Sequence, residues 1–129
     1  MTSAFPTTRS HGEYAAQRAM NRYVRLLLHR ARNPRALARL PFMESLCREM
    51  GTRDPSAALA GVVMRVFDAP DEGAIRLRES ILEADFKQTT ITELARRNGV
   101  SRRHFLRRRA EAVAMIAQYV RRIGERTEE

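Results

Sequence analysis

At 129 residues, with 43% hydrophobic residues and no tryptophan, the chain is long enough for one small domain with its own core. Its formal net charge of +9 and pI of about 11.2 point to a polyanionic partner. A lone cysteine, Cys47, excludes an intrachain disulfide and a thiolate zinc site, and no stretch approaches the roughly 18 apolar residues of a membrane span.

In chain order, residues 1–12 read as a flexible N-terminal arm, with Pro6, Gly12 and small polar residues. The opening MTSAFPTTRSHGEY has no apolar signal-peptide core, so the expected location is cytoplasmic, at the nucleoid when bound. Tyr14 to about Arg32 follows as an amphipathic helix with Met20, Tyr23, Val24, Leu27 and Leu28 inward. Asn33-Pro34 interrupts it, because the residue before proline is pushed out of the α region. A turn from Arg35 to Leu40 leads to Pro41 as first residue of a helix ending near Met50, closed by Gly51. Cys47 lies beside Phe42, Met43 and Leu46 and reads as a buried structural thiol.

Asp54-Pro55 opens the next helix, which carries Leu59, Val62, Val63, Val66 and Phe67. Its VVMRVF run is β-branched, yet the Ala-rich lead-in and the length favour helix. Pro70–Gly73 reads as a turn, and Ile75 to Ala84 as a helix with Leu77, Ile81 and Leu82 apolar. The expected fold is therefore all-α, a multi-helix bundle with a C-terminal helix-turn-helix and a long last helix. Residues 13–85 form the support or partner-binding bundle, 86–124 the helix-turn-helix with its extended helix, and 125–129 a tail.

Charge divides the chain. Residues 1–40 hold eight arginines and one acid, residues 41–92 six basic and nine acidic residues, and residues 93–129 ten basic and five acidic. An acidic middle thus separates two basic ends. In the first, Arg18, Arg22, Arg25, His29 and Arg32 recur at helical spacing and form a second basic surface, read either as a solvated face or as a nucleic-acid contact.

The 90–109 stretch, TITELARRNGVSRRHFLRRR, carries most of the functional content. Thr90 and Glu93 have capping-box spacing, the hydroxyl on the N3 amide and the carboxylate reaching back. A short helix over Ile91–Arg97 buries Leu94 and the small Ala95, and Asn98-Gly99 stops it. Val100 fills the space between helices, and Ser101 caps the next helix at Arg102, with Phe105 inward. Seven arginines stand between Glu93 and Glu111 with no acid among them.

Leu94, Ala95, Gly99, Val100, Ser101 and Phe105 resemble the core pattern of helix-turn-helix transcription regulators. GVSRRHFLRRR is most similar to sigma-factor region 4 and LuxR-type domains, with AraC- and Fis-type motifs close behind. Asn98 and Arg108 depart from that pattern, standing where the family places aliphatic residues. The resemblance implies that the first turn of the second helix enters the major groove of double-stranded DNA. It implies base reading by Arg102, Arg103 and His104, and phosphate contacts by Arg96, Arg97, Ser101, Arg107, Arg108 and Arg109.

The helix from Arg102 continues to Ile123 without proline or glycine, and Gly124 reads as its stop. Its apolar residues 110–123 need burial, either in this chain or in a homodimer. His11, His29 and His104 form no metal pattern, and no P-loop, dinucleotide fingerprint or nucleophile elbow appears. Neither catalysis nor a cofactor is expected. Alternatives to DNA binding are an RNA-binding or RNA-polymerase-associated helical protein, and a protein-interaction module of a larger regulator.

Overall fold

The computed structural model describes the backbone of residues 4–128 and the side chains of residues 12–126. Among these residues the chain is helical and has no strand. The order is α1 Ala4–His29, α2 Pro34–Ala38, α3 Met43–Met50, α4 Pro55–Val66, α5 Glu72–Ile81, a π-helical turn Leu82–Phe86, α6 Ile91–Arg97 and α7 Arg102–Glu128.

At Asp54-Pro55 the expected and observed helix start coincide: the Asp54 side chain accepts a hydrogen bond from the Ser56 amide and Pro55 fills the first helical position. Asn33-Pro34, read only as a break, also starts a helix, with the Asn33 side chain accepting from the Ala36 amide and Pro34 at the first position. Gly51 closes α3 at φ 69. VVMRVF belongs to α4, with Val62 and Val63 fully buried.

Other boundaries differ from expectation for identifiable reasons. Helix α1 begins at Ala4, so residues 4–12 are helix and not an arm; residues 1–3 lie outside the described backbone. Pro6 falls in its first turn, where an N–H has no intrahelical acceptor to lose. Asp71 caps the Ala74 amide at 2.8 Å, which starts α5 at Glu72 instead of Ile75. Residues assigned to a turn after Pro34 form the short α2, and Pro41 does not open α3. Phe42 intervenes in the left-handed region at φ 76, and the Tyr23 hydroxyl donates to the Pro41 carbonyl to pin that corner. The helix expected to reach Ala84 widens after Ile81 into the π turn, with the Lys87 amide bonded to the Leu82 carbonyl at 3.1 Å.

Helix α7 passes through Gly124 and ends at Glu128, so residues 125–128 are helical rather than a tail. The glycine has a packing role in place of a stopping one. A β-carbon at Gly124 would lie 3.4 Å from Phe42 Cζ, so the ring packs over the glycine at the near limit of ordinary contact.

Helix α7 is the spine of the molecule and touches α1, α3, α4, α5 and α6. Val113, Ile116, Ala117, Val120 and Ile123 are buried against Leu27, Leu28, Leu46, Leu59, Val62 and Ile81. Each such aliphatic side chain contributes about 1.5–3 kcal/mol on burial. Of the two ways to bury residues 110–123, the fold uses the first: this chain covers its own apolar stripe without a second subunit, leaving Ala110 and Met115 outside. The bundle of residues 13–85 closes its core only with this half of α7. Ion pairs tie the C-terminal half of α7 to its neighbours. Arg121 meets Glu13 of α1 at 3.2 Å, and Glu49 of α3 joins Arg126 at 3.1 Å and Arg65 of α4 at 3.7 Å.

Candidate nucleic-acid interface

The first half of α7 rests on a second, smaller core. Leu94, Ala95 and Phe105 are buried together, with Ala84, Ile91 and Val100 packed around them. Between α6 and α7 lies a four-residue turn, Asn98–Ser101. Gly99 holds φ 67 there, a conformation that costs a residue with a β-carbon about 1–2 kcal/mol. Ser101 Oγ accepts from the His104 amide at 3.0 Å and starts α7. Thr90 Oγ1 accepts from the Glu93 amide at 3.1 Å and starts α6.

Only the hydroxyl half of the expected capping box forms as read. The Glu93 carboxylate turns to the arginines, meeting Arg96 at 2.5 Å and Arg97 at 3.1 Å. Those two guanidiniums, Arg96 first, hold its carboxyl below the usual carboxylate range. Arg97 also reaches Glu83 at 3.4 Å. Glu83 is itself lowered, first by its hydrogen bond with Lys87, with which it forms a 2.9 Å ion pair.

The seven arginines of this stretch therefore fall into four groups, the last being Arg109 alone. Arg102, Arg103 and Arg107 are exposed and have no carboxylate partner among the described residues, and His104 is exposed beside the first two. Arg96 and Arg97 are exposed but held by Glu93. Arg108 donates to Asn98 Oδ1 at 3.2 Å and lies 3.5 Å from His104 Nε2. The two residues that depart from the family pattern are thus each other's partners, while Asn98 Nδ2 donates to the Leu94 carbonyl at 2.7 Å.

Arg109 corrects an expectation. Assigned to phosphate, it instead grips Asp85 at 2.5 and 2.8 Å, with side chains only 19% and 11% exposed. Burial pushes the Asp85 carboxyl up, against the opposing pull of Arg109 and His29. Residues 24 apart in sequence carry no local signal of such a pair, and the reading missed it.

The α1 stripe is exposed at Arg18, Arg22, Arg25, His29 and Arg32, although Arg32 lies in the turn after the helix. None of these arginines meets a carboxylate among the described residues. Cys47 is half-buried against the main core, and burial, aided by Asp54, pushes its thiol up. No group of three or more His, Cys, Asp or Glu side chains gathers as a metal site among the described residues, and no helix is long and apolar enough to cross a membrane. No protein-family model, curated protein or solved structure matches the chain.

Proposed function

We propose that the chain is a sequence-specific DNA-binding transcription regulator in which α6 and α7 act as a helix-turn-helix. The observation that carries this reading is the exposed set Arg102, Arg103 and His104 on the first turn of α7, the two arginines without a carboxylate partner among the described residues and the imidazole beside Arg108, where a reading helix presents its base contacts. The Leu94–Ala95–Phe105 core and the Asp85–Arg109 pair hold that turn rigidly. Planar guanidinium forks suit guanine O6 and N7. Arg107 and Ser101 lie at hand for phosphates, and Arg96 and Arg97 join them once Glu93 yields. The setting is the cytoplasm, the target is duplex DNA, and no catalytic step is assigned.

Fluorescence anisotropy with duplex DNA, single-stranded RNA and heparin at two salt concentrations ranks the partners. Duplex should bind best and weaken steeply with salt, because phosphate contacts release counterions. Duplex binding that survives Arg102→Ala with Arg103→Ala unchanged removes the groove assignment. A second reading, an RNA or RNA-polymerase contact, draws on the unpaired Arg18, Arg22 and Arg25 of α1. It predicts that mutating those three abolishes binding while the α7 variant retains it.

A further inference from the structure

The end of α1 and the start of α2 face the π turn across an open cleft of about 490 Å3. One wall carries His29, Arg32 and Arg35, and the other Asp85 and Gln88. The backbone that carries the two arginines is braced. Asn33 Oδ1 accepts from the Ala36 amide at 3.1 Å, and Arg30 donates to the Ala36 carbonyl at 3.1 Å. Arg32 and Arg35 are exposed and meet no carboxylate among the described residues. The one acid of the cleft, Asp85, already has both oxygens bonded to Arg109. Gln88 completes the far wall at φ 58, a left-handed conformation that non-glycine residues rarely adopt and that recurs at ligand clamps.

Two guanidiniums and an imidazole thus line a cleft whose only carboxylate is spent. Paired guanidinium forks match the oxygens of a phosphate. We propose that this cleft is a phosphate-binding subsite. Gln88 stands two residues before Thr90, the cap of α6, so the cleft borders the reading unit, and His29 continues the basic stripe of α1. The source assigned to that phosphate is the DNA backbone. This source, though not the subsite itself, rests on the DNA-binding reading above.

The test uses the full chain and inorganic pyrophosphate, followed by NMR at His29 and Gln88. Wild type should show saturable shifts. Arg32→Ser with Arg35→Ser should weaken pyrophosphate by about tenfold or more, the loss expected for a charge-assisted hydrogen bond. A charge-matched control, Arg48→Ser with Arg53→Ser, at exposed arginines outside both basic surfaces, should change it little. Equal weakening in both variants, or no saturable binding in wild type, overturns the subsite and leaves diffuse charge. Circular dichroism on both variants confirms that they remain folded.

A second arm separates the sources of the phosphate. In duplex titrations, loss of one phosphate contact lowers the slope of log affinity against log salt by about 0.9. The Arg32/Arg35 variant should show that reduction. Pyrophosphate binding with an unchanged duplex slope keeps the subsite but gives it to the phosphates of a free ligand. Pyrophosphate binding by a wild type that fails to bind duplex overturns the DNA-binding reading alone.

Discussion

Both carboxylate oxygens of Asp85 accept hydrogen bonds from one guanidinium, that of Arg109, at 2.5 and 2.8 Å. The pair clamps α7 to the π turn between the two cores, so the helix is fixed where it leaves one and enters the other. Arg102 lies seven residues away, about 10 Å along the helix axis. The first turn of α7 is thereby mounted on a fixed base. The arginine that holds the mount is not free to contact a ligand.

Asp85→Ala leaves the Arg109 charge mostly buried and uncompensated. Breaking one side of such a pair should destabilise the fold by about 2–4 kcal/mol, less than a fully dry pair because both groups retain some exposure. Adding Arg109→Met should recover part of that loss, since no unpaired charge then remains. Urea denaturation of the three variants measures this. If Asp85→Ala unfolds at the wild-type midpoint, the pair does not hold the helix.

What the sequence made legible was local chemistry. Thr90, Ser101 and Asp54-Pro55 act within three residues of themselves, and their caps form as expected, while Asn33-Pro34 breaks the first helix as read. Gly99 and Gly51 take positive φ at the turns they were read to make. The missed features depend on partners far along the chain. Gly124 reads as a stop until the Phe42 ring, 82 positions earlier, is seen packed over it. The apolar run 110–123 gave no choice between α1 and a second subunit. Pattern reports that a face must be buried, but not against what.

The Asn98–Arg108 bond explains how the turn tolerates two polar residues at positions expected to be aliphatic. Each remains solvent-accessible, and the pair braces the turn from outside. A double-mutant cycle of Asn98→Ala and Arg108→Ala should give a coupling of about 0.5 kcal/mol. Asn98→Ala alone should cost about 1 kcal/mol, because it also removes the Nδ2 bond to the Leu94 carbonyl, which then keeps only the residue-98 backbone amide. Thermal denaturation provides the four midpoints. Purely additive effects would show that the two side chains merely lie near each other.

Two glycines should respond in opposite senses to alanine. Gly124 sits inside α7 with helical geometry, and a β-carbon there reaches Phe42 only at ordinary contact distance. Gly124→Ala should stabilise by about 0.5–1 kcal/mol through helix propensity. Gly99 has open space around its missing β-carbon but a φ of 67, so Gly99→Ala should cost about 1–2 kcal/mol from backbone strain alone. Calorimetry on the two variants decides. A Gly124→Ala protein that melts below wild type would mean that the Phe42 ring cannot give way.

Glu93 sets how much of the α6 charge is available, since one carboxylate engages both Arg96 and Arg97. Glu93→Gln should tighten duplex binding at low salt and steepen the salt dependence by about one unit of slope, as one freed guanidinium takes up a phosphate. The same substitution has a pH test of defined sign. The arginines depress the folded Glu93 pKa below its ordinary 4.5, so the folded state gives up this proton more readily than the unfolded state. The resulting stability is present above pH 4.5 and disappears as pH falls through the lowered value. Wild type should therefore melt above Glu93→Gln at pH 6, and the gap should close as pH falls through the lowered pKa. A gap that widens on acidification would reverse the assigned sign, and unchanged duplex affinity would show that Arg96 and Arg97 do not compete for phosphate.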